Sequence, residues 1–477
     1  MINNNFRKTK IVCTMGPASL KEHVIEDMLK SGMNVARFNF SHGTHEYHRE
    51  GIEMFRRVRD KLKLPAAVLL DTKGPEIRIR EIEGGSITLT AGQTFTLTAD
   101  EIVGNSEKVS ITYKELYREL KEGSRVLLDD GKIDLRVTGI SGSDIVCRVV
   151  TGGKLSSKKG LNIPNVHLNM PYISDQDERD LRFGIEMGVD FVAASFVRSR
   201  EDVIALRKLL NYYGGHQIKI ISKIENIEGV ENFDEILAHS DGIMVARGDM
   251  GVEIEFEKLP GLQKKFIRKC YHSGKMVITA TQMLETMIHA TTPTRAEITD
   301  VANAVFDGTS AVMLSGETAM GDHPAHVVRV MSKIAVQAEK DALEMGVYEG
   351  VRYDSDFTDM TNAICDAACT TARDIRARAI IAVTKSGTTA RRVSKFRPSE
   401  PIVAATPDNK TFHQLSMSWG VFPVLALDQD DTDSLFLHAI DCARQLDIVS
   451  ANDKVVITAG VPLKLSGTTN LLKVQVV

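Results

Sequence analysis

From Lys10 the chain alternates compact apolar runs with helix-spaced patterns: IVCTM then Leu20 to Lys30, NVARFNF then Glu46 to Lys61, and AAVLLDT. Repeated β–α units of this kind predict a parallel sheet with helices outside it. The alternation stops at Lys73. From Glu76 to Val150 period-two segments take over, among them SITLT, TFTLT, KVSIT, KIDLRVT and DIVCRVV, separated by Gly, Asn and Asp turns. Such a helix-poor stretch predicts a small inserted β-barrel. Near Ser174 the first pattern returns with a helix over 174–187, then FVAASFV, IKIISKI, GIMVA, MVITATQ and AVMLS, each followed by a helical pattern. Three early strands and five late ones make eight, as a (β/α)8 TIM barrel needs, with the insert leaving after the third strand at the face where such barrels carry their sites.

A helix ending near Leu343 leads into Tyr348 to Asp359, acidic and turn-rich, which reads as a linker. Beyond it helices alternate with AIIAVT, PIVAATP, VFPVLAL and KVVITAG before a final LLKVQVV, predicting a separate doubly wound α/β domain. The expected division is therefore a barrel from 1–72 and 170–345, an inserted β-domain over 73–169, and a C-terminal α/β domain over 346–477. Neither GxGxxG nor GxxxxGK[ST] occurs, so any nucleotide is held by other means.

At 477 residues the chain is long enough for two to four domains. Lys plus Arg number 59 against 63 Asp plus Glu, a formal net charge of −4, so no global basic field recruits nucleic acid. The six cysteines are scattered without CxxC spacing, and Cys365 and Cys369 sit four apart in an apolar helical pattern, which reads as core in a reducing compartment. The N-terminus lacks a long apolar run with a cleavage site and no segment is long and apolar enough to span a bilayer, so the expectation is a cytoplasmic protein without membrane partners.

The most informative chemistry lies in Ile220 to Gly251. Lys223 and Glu225 end one apolar run two residues apart, and strand side chains repeat with period two, so both should point to the same side. After a helical pattern over Val230 to Leu237, a second run ends in Arg247, Gly248 and Asp249. Two carboxylates and a Lys at the carboxyl ends of parallel strands suit a hard divalent cation and a phosphorylated anion, though an exposed ion pair satisfies the spacing equally well. Arg37, Asn39 and Ser41 again lie two apart at a strand's end, and Asp71 and Thr72 end the next strand, offering a guanidinium and hard oxygen ligands; a capped strand-to-helix turn is the competing reading. His42, His45 and His48 lack the HExxH pairing and read as a polar helix face. Thr384, Lys385, Ser386, Gly387, Thr388 and Thr389 follow AIIAV and open a helix, which fits either a phosphate cradle or an ordinary N-cap.

VARFNFSHG, DTKGPEIR, ISKIEN, MVARGDMGVE, ITATQMLETM, PTRAE and MLSGETA, in this order, resemble the motifs of pyruvate kinases over essentially the whole chain. One departure is Phe38, where Leu is common; it should point off the site. The resemblance implies phosphoryl transfer from phosphoenolpyruvate to ADP, giving pyruvate and ATP, with Mg²⁺ (or Mn²⁺) on Glu225 and Asp249. It implies K⁺ on Asn39, Ser41, Asp71 and the Thr72 carbonyl, and an acidic Glu76 goes with potassium dependence. Arg37 and Lys223 then meet the substrate, whose carboxylate rests on the Gly248 and Asp249 N–H groups beside Thr281. A water near Thr281 and Ser315 supplies the enolate's proton, although capping of the next helix is the simpler role for Ser315. Arg78 and Lys159 bind nucleotide phosphates. The TKSGTT turn, with the loop Ser466 to Asn470 and Lys464, implies a sugar-phosphate or nucleotide effector, and the family is usually homotetrameric. Two other classes fit less well: a barrel aldolase or lyase, which has no use for Arg78 and Lys159, and a non-catalytic sugar-phosphate sensor.

Overall fold

The computed structural model describes residues 6–164, 166–348, 358–462 and 469–477. Lys10–Thr14, Val35–Asn39, Ala67–Asp71, Phe191–Ala194, Lys219–Ile224, Gly242–Ala246, Met276–Ala280 and Ala311–Leu314 form a closed parallel barrel in sequence order, the first strand pairing with both the second and the last. These runs are apolar on both faces because both are covered. Val12, Val35, Leu69, Ile221, Met244 and Ile278 fill the interior. Their neighbours Ile11, Ala36, Val68, Ile220 and Val245 pack outward against the helices. Phe38 belongs to this outer layer and points off the barrel interior, as its register requires.

The helices begin where local chemistry starts them. Ser174 forms a reciprocal capping box with Asp177 ahead of Asp175–Glu186, and Thr294 does so with Glu297 ahead of Arg295–Phe306. The helical pattern over Val230 to Leu237 is split in the structure into Ile227–Glu231 and Phe233–His239, with Asn232 at the break. The three histidines do not form a polar face either. His48 is buried and stacked on Phe40 with ring centroids 4.0 Å apart, while His45 Nε2 lies 2.6 Å from Asp180 Oδ1.

The insert is a seven-stranded sheet running Ile77–Arg78, Gly160–Asn162, Arg125–Leu128, Ile133–Ser141, Asp144–Thr151, Thr94–Thr98, Lys108–Ser110. An antiparallel bridge between Ile79 and Ile111 joins its two outer strands, curling the sheet around its own apolar core. Its entry strand and exit strand pair with each other, Gly160 opposite Arg78, so the insert is tethered at one place on the barrel.

The C-terminal domain carries a five-stranded sheet, Val421–Leu425, Ile402–Thr406, Ala379–Val383, Lys454–Ala459 and an antiparallel Leu471–Val476. Ala379 and Ile381 face the core of helix Thr432–Gln445, whereas Ile380 and Ala382 face that of Met360–Asp374, so helices cover both faces. This domain plugs the base of the barrel. Met417 joins the barrel's interior cluster, and Lys10 Nζ at the start of the first strand donates to the Val421 carbonyl at 2.7 Å. The strands' carboxyl ends are left free at the opposite face.

Candidate active site

Parallel closure brings strand ends that are distant in sequence onto one rim. Asp71 ends the third strand, Lys223 is the penultimate residue of the fifth, and Lys223 Nζ lies 3.1 Å from Asp71 Oδ1 and 2.9 Å from Glu225 Oε1. Arg37 Nε takes the other Asp71 oxygen at 2.6 Å, and Arg37 Nη1 donates to Thr14 Oγ1 at 2.8 Å. The spacing of Lys223 and Glu225 thus delivers both to one space, and the pair is buried rather than an exposed ion pair. Ser195, just past the fourth strand, sits at the centre: its Oγ accepts from Lys223 Nζ at 2.8 Å and lies 2.6 Å from the Thr72 carbonyl.

Burial alone would discharge these groups, and their mutual attraction decides the outcome. Burial works against the Lys223 ammonium, but Asp71 and Glu225 outweigh it and hold the group charged above its usual range. Burial likewise pushes Asp71 up, yet Arg37 and Lys223 bring it below the ordinary carboxylate range. Glu225 goes the other way. Burial raises it against the pull of Lys223, with Asp249 and Asp71 adding to the rise. The site is therefore short of positive charge at the Glu225 end.

Asp249 lies in the helix Arg247–Glu253 that follows the sixth strand, and its carboxylate makes no hydrogen bond or ion pair among the described residues. Thr281 adopts a left-handed φ of 72°, which a β-branched residue does only under constraint. The constraint is visible. Arg247 donates to the Ala280 carbonyl at 3.2 Å and to the Thr281 carbonyl at 2.5 Å, while Gly248 N–H donates to Thr281 Oγ1 at 2.9 Å. Ser315 occupies an N-cap position but its hydroxyl makes no capping bond, which corrects the capping role. Glu317 instead pins the turn, accepting from the Ser315 N–H at 2.6 Å and the Leu284 N–H at 3.1 Å, and Ser315 Oγ is buried without a partner among the described residues.

Between the insert and the barrel rim lies a cleft lined by Glu76, Asn162, Phe196, Asn226, Asp249 and Glu253, among others. Arg78 is at its hinge, with Nε 2.8 Å from Glu76 Oε2, and Lys159 Nζ is 2.7 Å from Asp129 Oδ1. Asn39 Oδ1 accepts from the Ser41 N–H at 3.1 Å, next to the Arg37–Asp71 pair.

In the C-terminal domain Gly387, at φ 79°, turns the chain into helix Thr388–Lys395. Ser386 Oγ and Thr388 Oγ1 are 3.0 Å apart, Thr411 Oγ1 donates to the Lys385 carbonyl at 2.9 Å, and Thr389 Oγ1 meets Thr469 Oγ1 at 2.8 Å. Thr384 is buried at the end of the preceding strand. Lys464 and residues 466–468 lie outside the described residues, although Thr469 and Asn470 carry the end of that loop to the turn.

Comparison with known proteins decides the family. The model of the pyruvate kinase barrel domain matches residues 6–328, and that of the pyruvate kinase alpha/beta domain matches residues 362–475. The chain belongs to the pyruvate kinase family. A pyruvate kinase of Clostridium acetobutylicum is 48% identical over 472 residues, covering 99% of this chain and 100% of the relative. One from Staphylococcus saprophyticus is 48% identical over 473 residues, covering 99% of this chain and 80% of the relative, and one from Clostridium perfringens is 44% identical over 471 residues. Membership makes this a kinase-class transferase on a TIM barrel, and among the described residues no helix is long and apolar enough to cross a membrane.

Sequence reading assigns no role to Ser195, Thr14 or Glu317, and gives Arg247 only as the end of an apolar run. The signal for Ser195 was present: in FVAASFV it stands two residues after Ala193, whose side chain points into the barrel. The donor set also fits metal ions. Glu225 and Asp249 offer two carboxylates in a region short of positive charge, and the Thr72 carbonyl, Asn39 Oδ1 and Asp71 offer hard oxygens beside them.

Proposed function

We propose that this chain transfers the phosphoryl group of phosphoenolpyruvate to ADP, giving pyruvate and ATP. The observation that carries the reading is the buried set Arg37, Asp71, Lys223 and Glu225 at the strand ends, with the unpaired Asp249 carboxylate beside it. Phosphoryl transfer asks mainly for positioning and for charge stabilisation, and this rim is arranged for both. Arg37 and Lys223 are positive charges locked in place by Asp71, so they face the anionic substrate without reorganising. Lys223 Nζ donates to Asp71 and Ser195 and pairs with Glu225, so its charge is fixed at the rim from three sides.

Glu225 and Asp249 would hold Mg²⁺ or Mn²⁺, and Asn39, Ser41, Asp71 and the Thr72 carbonyl would hold K⁺. When bound, these ions supply Lewis-acid stabilisation of enolate and phosphoryl oxygens and a fixed positive charge. The Gly248 and Asp249 N–H groups and the Thr281 hydroxyl orient the substrate carboxylate once Gly248 releases Thr281. Thr281 and Ser315 hold the water that protonates the enolate. Arg78 and Lys159 bind ADP phosphates as the insert closes and excludes water. Thr384, Lys385, Ser386, Gly387, Thr388 and Thr389 receive an effector phosphate, with Thr469 against Thr389. The enzyme works as a cytoplasmic homotetramer.

The test is pyruvate formation from phosphoenolpyruvate and ADP with Mg²⁺, with and without K⁺, and with a panel of sugar phosphates. Potassium-dependent turnover supports the reaction and the role of Glu76, and sugar-phosphate activation supports the effector turn. Folded protein that binds a sugar phosphate yet turns over nothing under any condition is a sensor, and the proposal fails.

A further inference from the structure

Glu253 ends the helix Arg247–Glu253, whose first turn carries Gly248 and Asp249, and its carboxylate reaches out of the barrel to the insert. Its Oε1 accepts from Asn162 Nδ2 at 3.1 Å, and the Ile163 backbone N–H donates to the same carboxylate. Asn162 is the last residue of the insert's exit strand Gly160–Asn162, which begins directly after Lys159. Each side of this clasp is anchored in its own core: Ile163 belongs to the apolar cluster of the insert, and Ile254, next to Glu253, to that of the barrel. Hydrogen bonds to a carboxylate are of the strong kind, and a pair of them fixes direction as well as distance.

A second contact lies beside the first. The turn of Asp129, Asp130 and Gly131 runs through left-handed backbone at φ 51°, 57° and 82°, and a Cβ placed on Gly131 would stand 3.6 Å from Val252 Cγ1, one residue before Glu253. Asp129 is the partner of Lys159, and its N–H donates to the Gly160 carbonyl at 3.2 Å. Lys159 is thus flanked by two segments, the exit strand and this turn, and both bear on the last turn of helix Arg247–Glu253. The clasp also stands two residues from the point where Gly160 pairs with Arg78, at the base of the insert. One short helix therefore carries Asp249 near one end and registers the insert's basic residues at the other.

We propose that Glu253 is a positioning residue for the nucleotide: through Asn162 and the Ile163 N–H it sets the exit strand, and with it Lys159 and Arg78, in register with Asp249. The inference rests on the proposed transfer to ADP, in which groups from the insert and groups from the barrel rim must meet on one phosphate chain. A misplacement of about 1 Å between two such sets is costly, up to about a hundredfold in rate. Glu253 acts through the insert's residues, since its own acceptor bonds go to Asn162 and Ile163.

The experiment measures binding of Mg-ADP and of phosphoenolpyruvate by calorimetry, with steady-state kinetics on the same samples, for the full chain and for Glu253→Ala, Glu253→Gln and Asn162→Ala. Glu253→Ala should raise the Kd and KM for Mg-ADP about tenfold or more while changing the Kd for phosphoenolpyruvate less than about twofold. Glutamine keeps an acceptor oxygen, so Glu253→Gln should recover most of the ADP affinity. Adding Asn162→Ala to Glu253→Ala should change little, because both remove the same contact. Should Glu253→Ala not fold, Asn162→Ala carries the test with the same asymmetry between the two ligands. An unmoved Mg-ADP affinity overturns the proposal, and so does an equal loss for both ligands, which marks a merely structural tie. These failures are distinct from failure of the reaction: a wild type that binds Mg-ADP without forming pyruvate refutes the transfer, while the binding arm still decides the role of Glu253. A wild type that binds no Mg-ADP overturns both.

Discussion

The Ser195 hydroxyl stands 2.8 Å from Lys223 Nζ and 2.6 Å from the Thr72 carbonyl, linking the central cation of the rim to the end of the third strand. Its role is positional, since Asp71 and Glu225 already supply the countercharge. Ser195→Ala should leave the fold intact at a cost of about 1–3 kcal/mol, because the buried Thr72 carbonyl and Lys223 each lose a partner. It should also lower kcat about tenfold by loosening Lys223. Thermal unfolding and steady-state kinetics on the same sample check both, and an unchanged kcat would mean that Asp71 and Glu225 suffice to hold the lysine.

Lys223→Met removes the charge itself. If the ammonium acts mainly on the transition state, kcat should fall by orders of magnitude while substrate binding changes little. Fluorescence or calorimetric titration with phosphoenolpyruvate separates the two, and a variant that retains its kcat would sink the assigned role. A loss of stability is expected as well, because Asp71 and Glu225 stay buried with one cation fewer.

The part of this rim legible in the sequence is the part set by local period. Lys223 and Glu225, two apart at a strand's end, announced a shared space, and the structure gives 2.9 Å between them. The partner of Lys223 was not legible in this way. Asp71 is 152 residues away and becomes a neighbour only through barrel closure, which no local signal encodes. Ser315 illustrates the opposite failure. A serine before a helix reads as a cap, but here its hydroxyl makes no capping bond, and the Glu317 carboxylate holds the turn instead through the backbone N–H groups of Ser315 and Leu284. His48 misled for a third reason. Spacing placed it with His45 on a polar face, whereas stacking on Phe40 carried it inward. In the insert, alternation gave the strands but not their order, since antiparallel pairing between distant segments leaves no mark on period.

Gly74, where the chain leaves the barrel for the insert, has φ of 70°, and a Cβ built there would stand 2.8 Å from the Ser195 carbonyl oxygen. Backbone cannot yield as a flexible side chain does. Gly74→Ala should therefore displace the Ser195–Phe196 turn, whose Phe196 N–H donates to Glu225 Oε2 at 2.6 Å. The expected result is a drop in kcat/KM of at least about tenfold together with a lower Tm, since both left-handed strain and a backbone contact are introduced. Kinetics matching the wild type would show that the hinge absorbs the methyl group without moving the site.

His413, at the junction of the C-terminal domain with the barrel base, gives the protein a calculable response to acid. Burial, and after it the neighbouring Arg59, pushes its imidazole down to about 4 from an ordinary 6.5, with Lys410 adding to the fall while Asp190 and Asp60 oppose it. Its Nδ1 is buried without a partner among the described residues, so no hydrogen bond receives the added proton there. Between these two values the unfolded chain binds a proton that the folded chain refuses, so stability rises with pH across the window and is lost as pH falls from 6.5 toward 4. Urea unfolding of the wild type and of His413→Gln at pH 7, 6 and 5 reads this directly. The wild type should lose stability more steeply, by up to about 1 kcal/mol per pH unit after allowance for the ring's partial exposure. Parallel curves for the two proteins would mean that the imidazole accepts its proton in the folded state, and that the junction at the barrel base opens enough to solvate it.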